Sequence, residues 1–186
     1  MQNQAHSCVE VLLDADTIRR RVEELGERIT QDYAGRAPLL VGVLRGAAIF
    51  LSDLVRCIDL PLTVDFMALS SYGSSTVTSG QVVVIKDVES DIHGADVIVV
   101  EDIVDTGVTL QFLLQTLERH KPASLRVCAL LSKPKRRRVD VGIDYLGFEI
   151  PEVFVVGYGL DYAERHRHLR YVGVMREPQG QSGDQS

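Results

Sequence analysis

The stretch Val97–Thr109 reads VIVVEDIVDTGVT and most constrains how this chain can fold. Its first four residues are apolar and β-branched, which predicts a strand buried on both faces, as in a parallel sheet. A helical spacing of leucines follows at Leu110, Leu113, Leu114 and Leu117. The pattern therefore predicts a buried strand, a short turn that contains glycine and hydroxyl groups, and the start of a helix.

A strand, a glycine turn and a helix start together predict a phosphate-binding loop. The first backbone N–H groups of a helix have no partner within the helix, and the helix dipole favours an anion beside them. Gly107 lets a phosphate approach the main chain, while Thr106 and Thr109 add hydroxyl donors. The alternative is an ordinary turn with capping residues.

Three carboxylates lie in the same stretch, namely Glu101, Asp102 and Asp105. A site for phosphate alone has no use for them. Carboxylates are hard oxygen ligands for Mg²⁺ and good acceptors for sugar hydroxyls. We therefore expect the ligand to be an activated sugar phosphate bound with a divalent metal.

Composition favours one globular domain without a polyanionic or membrane partner. The chain has 186 residues, of which 45% are hydrophobic and 25% charged, and its net charge is −6. That charge should repel nucleic acid and anionic lipid. No apolar run reaches the roughly 20 residues of a membrane span, and the N-terminus lacks the plan of a signal peptide. Three scattered cysteines, Cys8, Cys57 and Cys128, indicate free thiols in a reducing cytoplasm.

Strands and helices alternate along most of the remaining chain. Asp16 is the predicted cap of the first helix, whose apolar stripe is Ile18, Val22, Leu25, Ile29 and Tyr33. Further predicted helices span about 47–56 and 110–120. Predicted strands span 9–13, 39–44, 63–69, 81–86, 125–131, 143–148, 152–158 and 171–175. We expect residues 1–7 and 177–186 to be disordered, and the Ser/Thr/Gly-rich segment 70–80 to be a hairpin tip or a mobile lid.

The segment Lys133–Arg138 contains five basic residues in six. A nucleic-acid patch is one interpretation, but the total charge and the lack of interleaved aromatic residues favour a solvated loop. Lys133 differs from the others because it comes directly after a predicted strand, and ligands of open α/β sheets bind at the carboxyl ends of strands.

The acidic and phosphate-loop residues resemble the phosphoribosyl pyrophosphate (PRPP) signature of the type I phosphoribosyltransferases, and are most similar to the hypoxanthine-guanine branch. Three further stretches match that branch, namely Leu44–Gly46, Ser70–Gly73 and Phe154–Tyr162. The resemblance implies an α/β fold with a central, mostly parallel sheet, helices on both faces and a small hood subdomain. It implies a core at about 36–142, a hood from about 8–15 and 143–176, and a tail at 177–186.

The resemblance further implies a purine-salvage reaction. The phosphoribosyl group of PRPP is transferred to N9 of hypoxanthine or guanine, giving IMP or GMP and pyrophosphate, with Mg²⁺ as cofactor. Expected partners are these substrates and a second copy of the chain in a dimer or tetramer. Two alternatives stay open. One is a specificity for xanthine, adenine or uracil, and the other is a nucleotide-sensing regulator that binds RNA.

Site residues follow from the same resemblance. The 5′-phosphate is expected on Thr106, Gly107, Val108 and Thr109, and the ribose hydroxyls on Glu101 and Asp102. Asp105, which also faces PRPP, is the expected general base. The purine is expected against Lys133, Phe154, the Val155 backbone and Asp161. Metal ligands are expected at Glu101, Asp102 and Asp161.

The pyrophosphate end of the site is expected to consist of Arg45, Gly46 and Arg167, and the resemblance implies that the Leu44–Arg45 peptide is often cis. Family members often carry lysine at the position of Arg45, so a role for its side chain stays open. Ser71 and Tyr72 match the tip of the family's lid. A lid of this kind keeps water away from the activated sugar.

Overall fold

The computed structural model describes residues 9–72 and 81–175. The helices are α1 (Ala15–Asp32), α2 (Ala47–Leu54) and α3 (Val108–Glu118), with short 3₁₀ turns at Val55–Cys57 and Pro134–Arg136. The strands are β1 (Val9–Leu13), β2 (Leu39–Leu44), β3 (Thr63–Tyr72), β4 (Gln81–Lys86), β5 (Asp96–Val104), β6 (Ser124–Ser132), β7 (Tyr145–Glu149), β8 (Val155–Val156) and β9 (Val172–Met175). No helix of these two ranges is long and apolar enough to span a bilayer.

Six strands form the central sheet in the order β4-β3-β2-β5-β6-β7. All neighbouring pairs are parallel except β3 with the edge strand β4. Alternate residues of β5 face opposite sides of the sheet. Val97 and Val99 pack with the leucines of α3, whereas Ile98 and Val100 pack with the apolar stripe of α1 and with α2. Helices therefore cover both faces, which confirms the predicted fold class and explains why β5 is apolar without interruption.

A second, smaller sheet forms the predicted hood. Its order is β1-β9-β8, and all its pairs are antiparallel. Val9 near the start of the chain pairs with Met175 near its end. Val155, Tyr158 and Leu160 join the core cluster that contains α1 and α2. The hood is thus fixed to one face of the central sheet by apolar packing.

The cap of α1 differs from the prediction. Asp14, not Asp16, precedes the helix, and its carboxylate accepts a hydrogen bond from the backbone N–H of Thr17 at 2.8 Å. Asp16 lies within the first turn, where it is ion-paired with Arg19 at 3.7 Å. Both aspartates favour a helix N-terminus, and the sequence alone does not show which one comes first outside the helix.

The predicted strand 143–148 was assigned to the hood, and that assignment is wrong. Strand β7 joins the central sheet beside β6 and parallel to it. Helix α1 covers it, since Arg21 donates to the carbonyls of Leu146 and Gly147 at 2.7 and 3.0 Å. The connection from β6 contains only a 3₁₀ turn instead of a helix, so the expected alternation of strands and helices is missing there. The predicted strand 152–158 is reduced to Val155–Val156.

Strand β3 is longer than predicted. Ser70 to Tyr72 do not begin a loop but continue β3, where they pair with Val83, Val82 and Gln81 of β4. The remainder of the predicted lid, residues 73–80, lies outside the described residues, as do the predicted disordered ends. Helix α2 stops at Leu54, and α3 begins at Val108, two residues before its first leucine.

Candidate active site

Three neighbouring parallel strands deliver the site residues. Strand β2 is followed by Arg45, β5 by Asp105 and β6 by Lys133. Because parallel strands end at the same edge, these side chains meet there. They line a cleft of about 390 Å³ together with the hood. Of the predicted site residues, the cleft contains Arg45, Gly46, Glu101, Asp102, Asp105, Thr109, Lys133, Phe154, Val155, Asp161 and Arg167.

The predicted phosphate loop forms a hollow of about 130 Å³ beside the cleft. Thr106 and Gly107 line it, and it shares Glu101, Asp105 and Thr109 with the cleft. Gly107 has a φ of +85° and precedes α3 without a capping side chain. A Cβ there would lie 2.6 Å from the Val139 carbonyl, so both the backbone conformation and the space require glycine. At this helix start the Val108 N–H makes only a long contact of 3.5 Å to the Thr106 hydroxyl, and anion binding there stays a prediction.

The basic segment that follows β6 is folded against this loop. The backbone N–H groups of Arg138 and Val139 both donate to the carbonyl of Thr106, at 2.9 and 3.2 Å. Arg137 donates to the Ser132 hydroxyl at 2.8 Å. Side chains of Lys135, Arg136 and Arg138 remain exposed. The segment therefore buttresses the phosphate loop, a role that neither sequence interpretation included.

Glu101, which is buried, and Asp102, which is half-buried, form an acidic pair in the floor of the cleft. Burial, and then the charge of Asp102, raise the pKa of Glu101 well above its usual value. Burial likewise raises the pKa of Asp102 to about 6. A hydrogen bond from the Ile103 N–H at 2.8 Å acts in the opposite direction and lowers this pKa. The Oε2 atom of Glu101 is buried and has no hydrogen-bond partner among the described residues. The pair is therefore arranged for a partner that the protein does not itself supply.

The Arg45–Gly46 loop packs against this pair from above. The Leu44–Arg45 peptide is cis, as the resemblance implied. A Cβ on Gly46 would overlap the Asp102 carboxylate, and a Cβ on Gly159 of the hood would overlap the Gly46 carbonyl. The Arg45 side chain, in contrast, is exposed and pairs with Glu164 at 2.8 Å. The Gly46 backbone thus forms this wall of the cleft beside Asp102.

Arg167 and Asp161 close the same end of the cleft. Arg167 pairs with Asp161 at 2.7 Å and donates to the Gly159 carbonyl at 2.7 Å. Asp161 also accepts a hydrogen bond from the Glu164 N–H at 2.9 Å. The guanidinium therefore lies beside the Gly46 wall, where it can neutralise a diphosphate.

Lys133 and Phe154 also line the cleft. Lys133 is only 8% exposed, and its ammonium group has no ion pair or hydrogen bond within the described ranges. Burial lowers the pKa of Lys133, an effect that the nearby Asp105 opposes. Phe154 is 54% exposed and contacts Tyr162 edge to face at a centroid distance of 5.7 Å. An unpaired cation and an open aromatic face suit a flat, polar ring.

An ion-pair bridge behind Asp105 was not predicted from the sequence. Arg136 Nε lies 2.7 Å from Asp105 Oδ1, and its Nη1 lies 3.2 Å from Glu152 Oε1. These residues are 31 and 16 positions apart, so no local pattern could have linked them. Three other predicted residues are not seen at the cleft. Val108 begins α3 and lines neither hollow, while the side chains of Ser71 and Tyr72 lie outside the described part of the chain.

Comparisons with known proteins show the family of this chain. A model of the phosphoribosyl transferase domain matches residues 9–163. The hypoxanthine-guanine phosphoribosyltransferase of Bacillus subtilis is 46% identical over 92% of this chain and 95% of its own length. That of Mycobacterium tuberculosis is 52% identical over 89% of this chain and 85% of its own length. A crystal structure of hypoxanthine phosphoribosyltransferase from Staphylococcus aureus superposes with a TM-score of 0.88 at 44% identity, covering 95% of this chain and 96% of that one.

The chain therefore belongs to the phosphoribosyltransferase family. Its fold is the one that the sequence resemblance implied. Within the family it is a type I enzyme close to the bacterial hypoxanthine-guanine phosphoribosyltransferases.

Proposed function

We propose that this enzyme acts in purine salvage by transferring the phosphoribosyl group of PRPP to N9 of hypoxanthine or guanine. The products are IMP or GMP and pyrophosphate. The observation that carries this proposal is that a helix start in one hollow adjoins a cleft that contains the acidic pair Glu101–Asp102 and an unpaired lysine together with an exposed aromatic ring. These features suit a phosphate, a ribose and a 6-oxopurine, respectively.

The sugar phosphate lies between the phosphate loop and the Gly46 wall. Thr106, Gly107, Val108 and Thr109 hold the 5′-phosphate through their backbone N–H groups and hydroxyls. Glu101 and Asp102 accept hydrogen bonds from the ribose hydroxyls. One of these hydroxyls is then the hydrogen-bond partner that Glu101 Oε2 lacks. Arg167 and the Arg45–Gly46 backbone hold the pyrophosphate. Ser71 and Tyr72 belong to a lid that excludes water from this end.

The donor set fits Mg²⁺ that arrives with the substrate. No three carboxylate, histidine or cysteine groups of the described residues are close enough to hold a metal by themselves. Mg²⁺ is usually bound by one or two carboxylates together with substrate phosphates. Glu101 and Asp102 at the ribose, and Asp161 at the pyrophosphate, are the carboxylates placed for this. When bound, the ion neutralises the charge of the leaving diphosphate.

Removal of divalent metal is expected to abolish turnover. Apart from Arg45 and Arg167, the pyrophosphate end offers mainly carboxylates, so a free diphosphate would meet like charges. Activity should vanish in EDTA and return when Mg²⁺ is added in excess. A calcium control would test whether any divalent cation suffices. Full turnover in metal-free buffer would contradict the assignment of all three carboxylates.

The protein's contribution to the chemistry centres on the purine. Phe154 stacks on the ring, and the Val155 backbone meets its far edge. Lys133 donates to O6, while Asp105 accepts a proton from a ring nitrogen as N9 attacks the sugar. The anomeric carbon becomes oxocarbenium-like, as in glycoside hydrolysis, so the acidic pair beneath the ribose also stabilises developing positive charge.

One coupled assay tests the proposal. The enzyme is incubated with PRPP and Mg²⁺ and each of hypoxanthine, guanine, xanthine, adenine and uracil. We expect nucleotide formation with hypoxanthine and guanine and almost none with adenine or uracil. Xanthine shares O6 but carries a second oxo group, so the rate with xanthine shows whether the enzyme accepts that group on the purine ring. A preference for adenine or uracil, or no activity with any base, would refute the proposal.

We further propose that the enzyme acts in the cytoplasm as a homodimer or homotetramer and uses no nucleic acid. Cys57 and Cys128 are unpaired thiols, and Cys128 is fully buried, which suits a reducing compartment. The net charge of −6 argues against a polyanionic partner.

A further inference from the structure

Four charged groups surround the purine end of the cleft. They are the cations Lys133 and Arg136 and the anions Asp105 and Glu152. Arg136 uses two different nitrogens, with Nε on Asp105 and Nη1 on Glu152. We call this Asp105–Arg136–Glu152 arrangement the Arg136 bridge. It joins the end of β5 to the segment that leads to Phe154.

Arg136 contacts Asp105 from outside the cleft. Asp105, Lys133 and Phe154 line the cleft, whereas Arg136 and Glu152 do not. Arg136 contacts Oδ1 of Asp105, and the carboxylate keeps Oδ2 as a second acceptor. A carboxylate has two oxygens that both accept hydrogen bonds. The contact therefore orients the carboxylate without blocking it.

The bridge also gives Asp105 a partner other than Lys133, the second cleft residue that contacts the purine in the proposed function. Lys133 and Asp105 carry opposite charges, and the charge of Asp105 already acts on Lys133. With no other partner, a lysine ammonium tends to pair with a neighbouring carboxylate. Arg136 forms the ion pair with Asp105 instead, and this leaves the Lys133 ammonium free to donate a hydrogen bond to a ligand.

We propose that Arg136 is a positioning residue that holds Asp105 for proton transfer and keeps Lys133 from pairing with it. This inference rests on the proposed function and deepens it, because it assigns a role to a residue outside the cleft. Arginine is required rather than any cation, because its planar fork reaches two carboxylates in a fixed geometry. Glu152 anchors the far side of that fork.

Substitution of Arg136 by Met is expected to lower the single-turnover rate with hypoxanthine by roughly 10- to 100-fold, the scale of a misplaced catalytic group. The KM for PRPP should stay within about twofold, since the sugar phosphate site is untouched. Arg136→Lys should recover part of the rate, and Glu152→Gln should lose less than Arg136→Met. Lys135→Met, on the same turn but exposed and outside the bridge, is the matched control and should behave like the parent.

A double-mutant cycle shows whether Arg136 acts through Asp105. In an Asp105→Asn background, Arg136→Met should cause no further loss, because the group that it positions is already disabled. Melting temperatures should agree within about 4 °C, since exposed ion pairs contribute little to stability. An unchanged rate in Arg136→Met, or its full loss repeated in the Asp105→Asn background, would overturn the inference.

The parent enzyme separates this inference from the proposed function. If the parent fails to use hypoxanthine or guanine, the proposed function is wrong. If the parent is active and Arg136→Met and Glu152→Gln both match it, only the positioning role is wrong. Should Arg136→Met fold poorly, Glu152→Gln carries the same test, because it removes the charge that anchors the bridge while preserving side-chain size.

Discussion

Substitution of Asp105 by Asn is expected to lower turnover of hypoxanthine by roughly 100- to 10,000-fold, the usual contribution of a positioned general base. Asn keeps the size of the side chain but cannot accept a proton. The loss should appear in kcat more than in the KM for PRPP, because the phosphate loop and the acidic pair remain intact. Steady-state and single-turnover kinetics with purified variants measure both parameters.

Asp140→Asn is the matched control for this substitution. Asp140 is exposed on the segment that buttresses the phosphate loop, and it lines neither hollow. It should therefore retain the activity of the parent. If Asp105→Asn loses less than about threefold while PRPP still binds, then Asp105 has a structural role and the proton goes elsewhere.

The second large effect concerns the choice of base. A buried lysine has three donors and no acceptor, and position 6 offers an acceptor in hypoxanthine but an amino donor in adenine. With adenine, the Lys133 ammonium and the 6-amino group would face each other as two donors without an acceptor. Sites built to hydrogen-bond one ligand reject an analogue that cannot make the bond by about 10⁴-fold or more. Lys133→Gln should lower kcat/KM for hypoxanthine by roughly 10- to 100-fold, the value of a hydrogen bond to a charged donor. The substitution should also reduce the ratio of kcat/KM for hypoxanthine to kcat/KM for adenine, because an amide can donate or accept a hydrogen bond.

The measurement is kcat/KM for hypoxanthine, guanine, xanthine and adenine on the parent, on Lys133→Gln and on the exposed control Lys135→Gln. The control should leave every ratio unchanged. If adenine matches hypoxanthine in the parent, or if Lys133→Gln changes no ratio, another group selects the base.

The sequence predicted the central sheet and the phosphate loop because both depend on local patterns. Strands β2 and β4 have the predicted bounds, and the Val97–Val100 run lies in β5 as expected. Gly107 could be placed at a helix start because strand, glycine and helix are contiguous in the chain. The position of Lys133 followed from one rule, that ligands bind where parallel strands end.

Three features escaped prediction because they depend on distant contacts. Strand β7 was assigned to the wrong sheet, since a parallel crossover without a helix has no periodic signal of its own. The Arg136 bridge and the buttress on Thr106 both come from a basic segment whose composition resembles that of a solvated loop. Only the tertiary structure shows that this segment crosses over the phosphate loop.

The backbone wall at Gly46 has a consequence for how this enzyme can evolve. Gly46 lies between Asp102 and Gly159, so a side chain at 46 would displace the Asp102 carboxylate and one at 159 would clash with the Gly46 backbone carbonyl. The Arg45 side chain is 71% exposed and pairs with Glu164. Substitutions at position 45 should therefore be tolerated, whereas substitutions at Gly46 and Gly159 should not. Sequence diversity at the diphosphate end should accumulate at positions whose side chains are exposed.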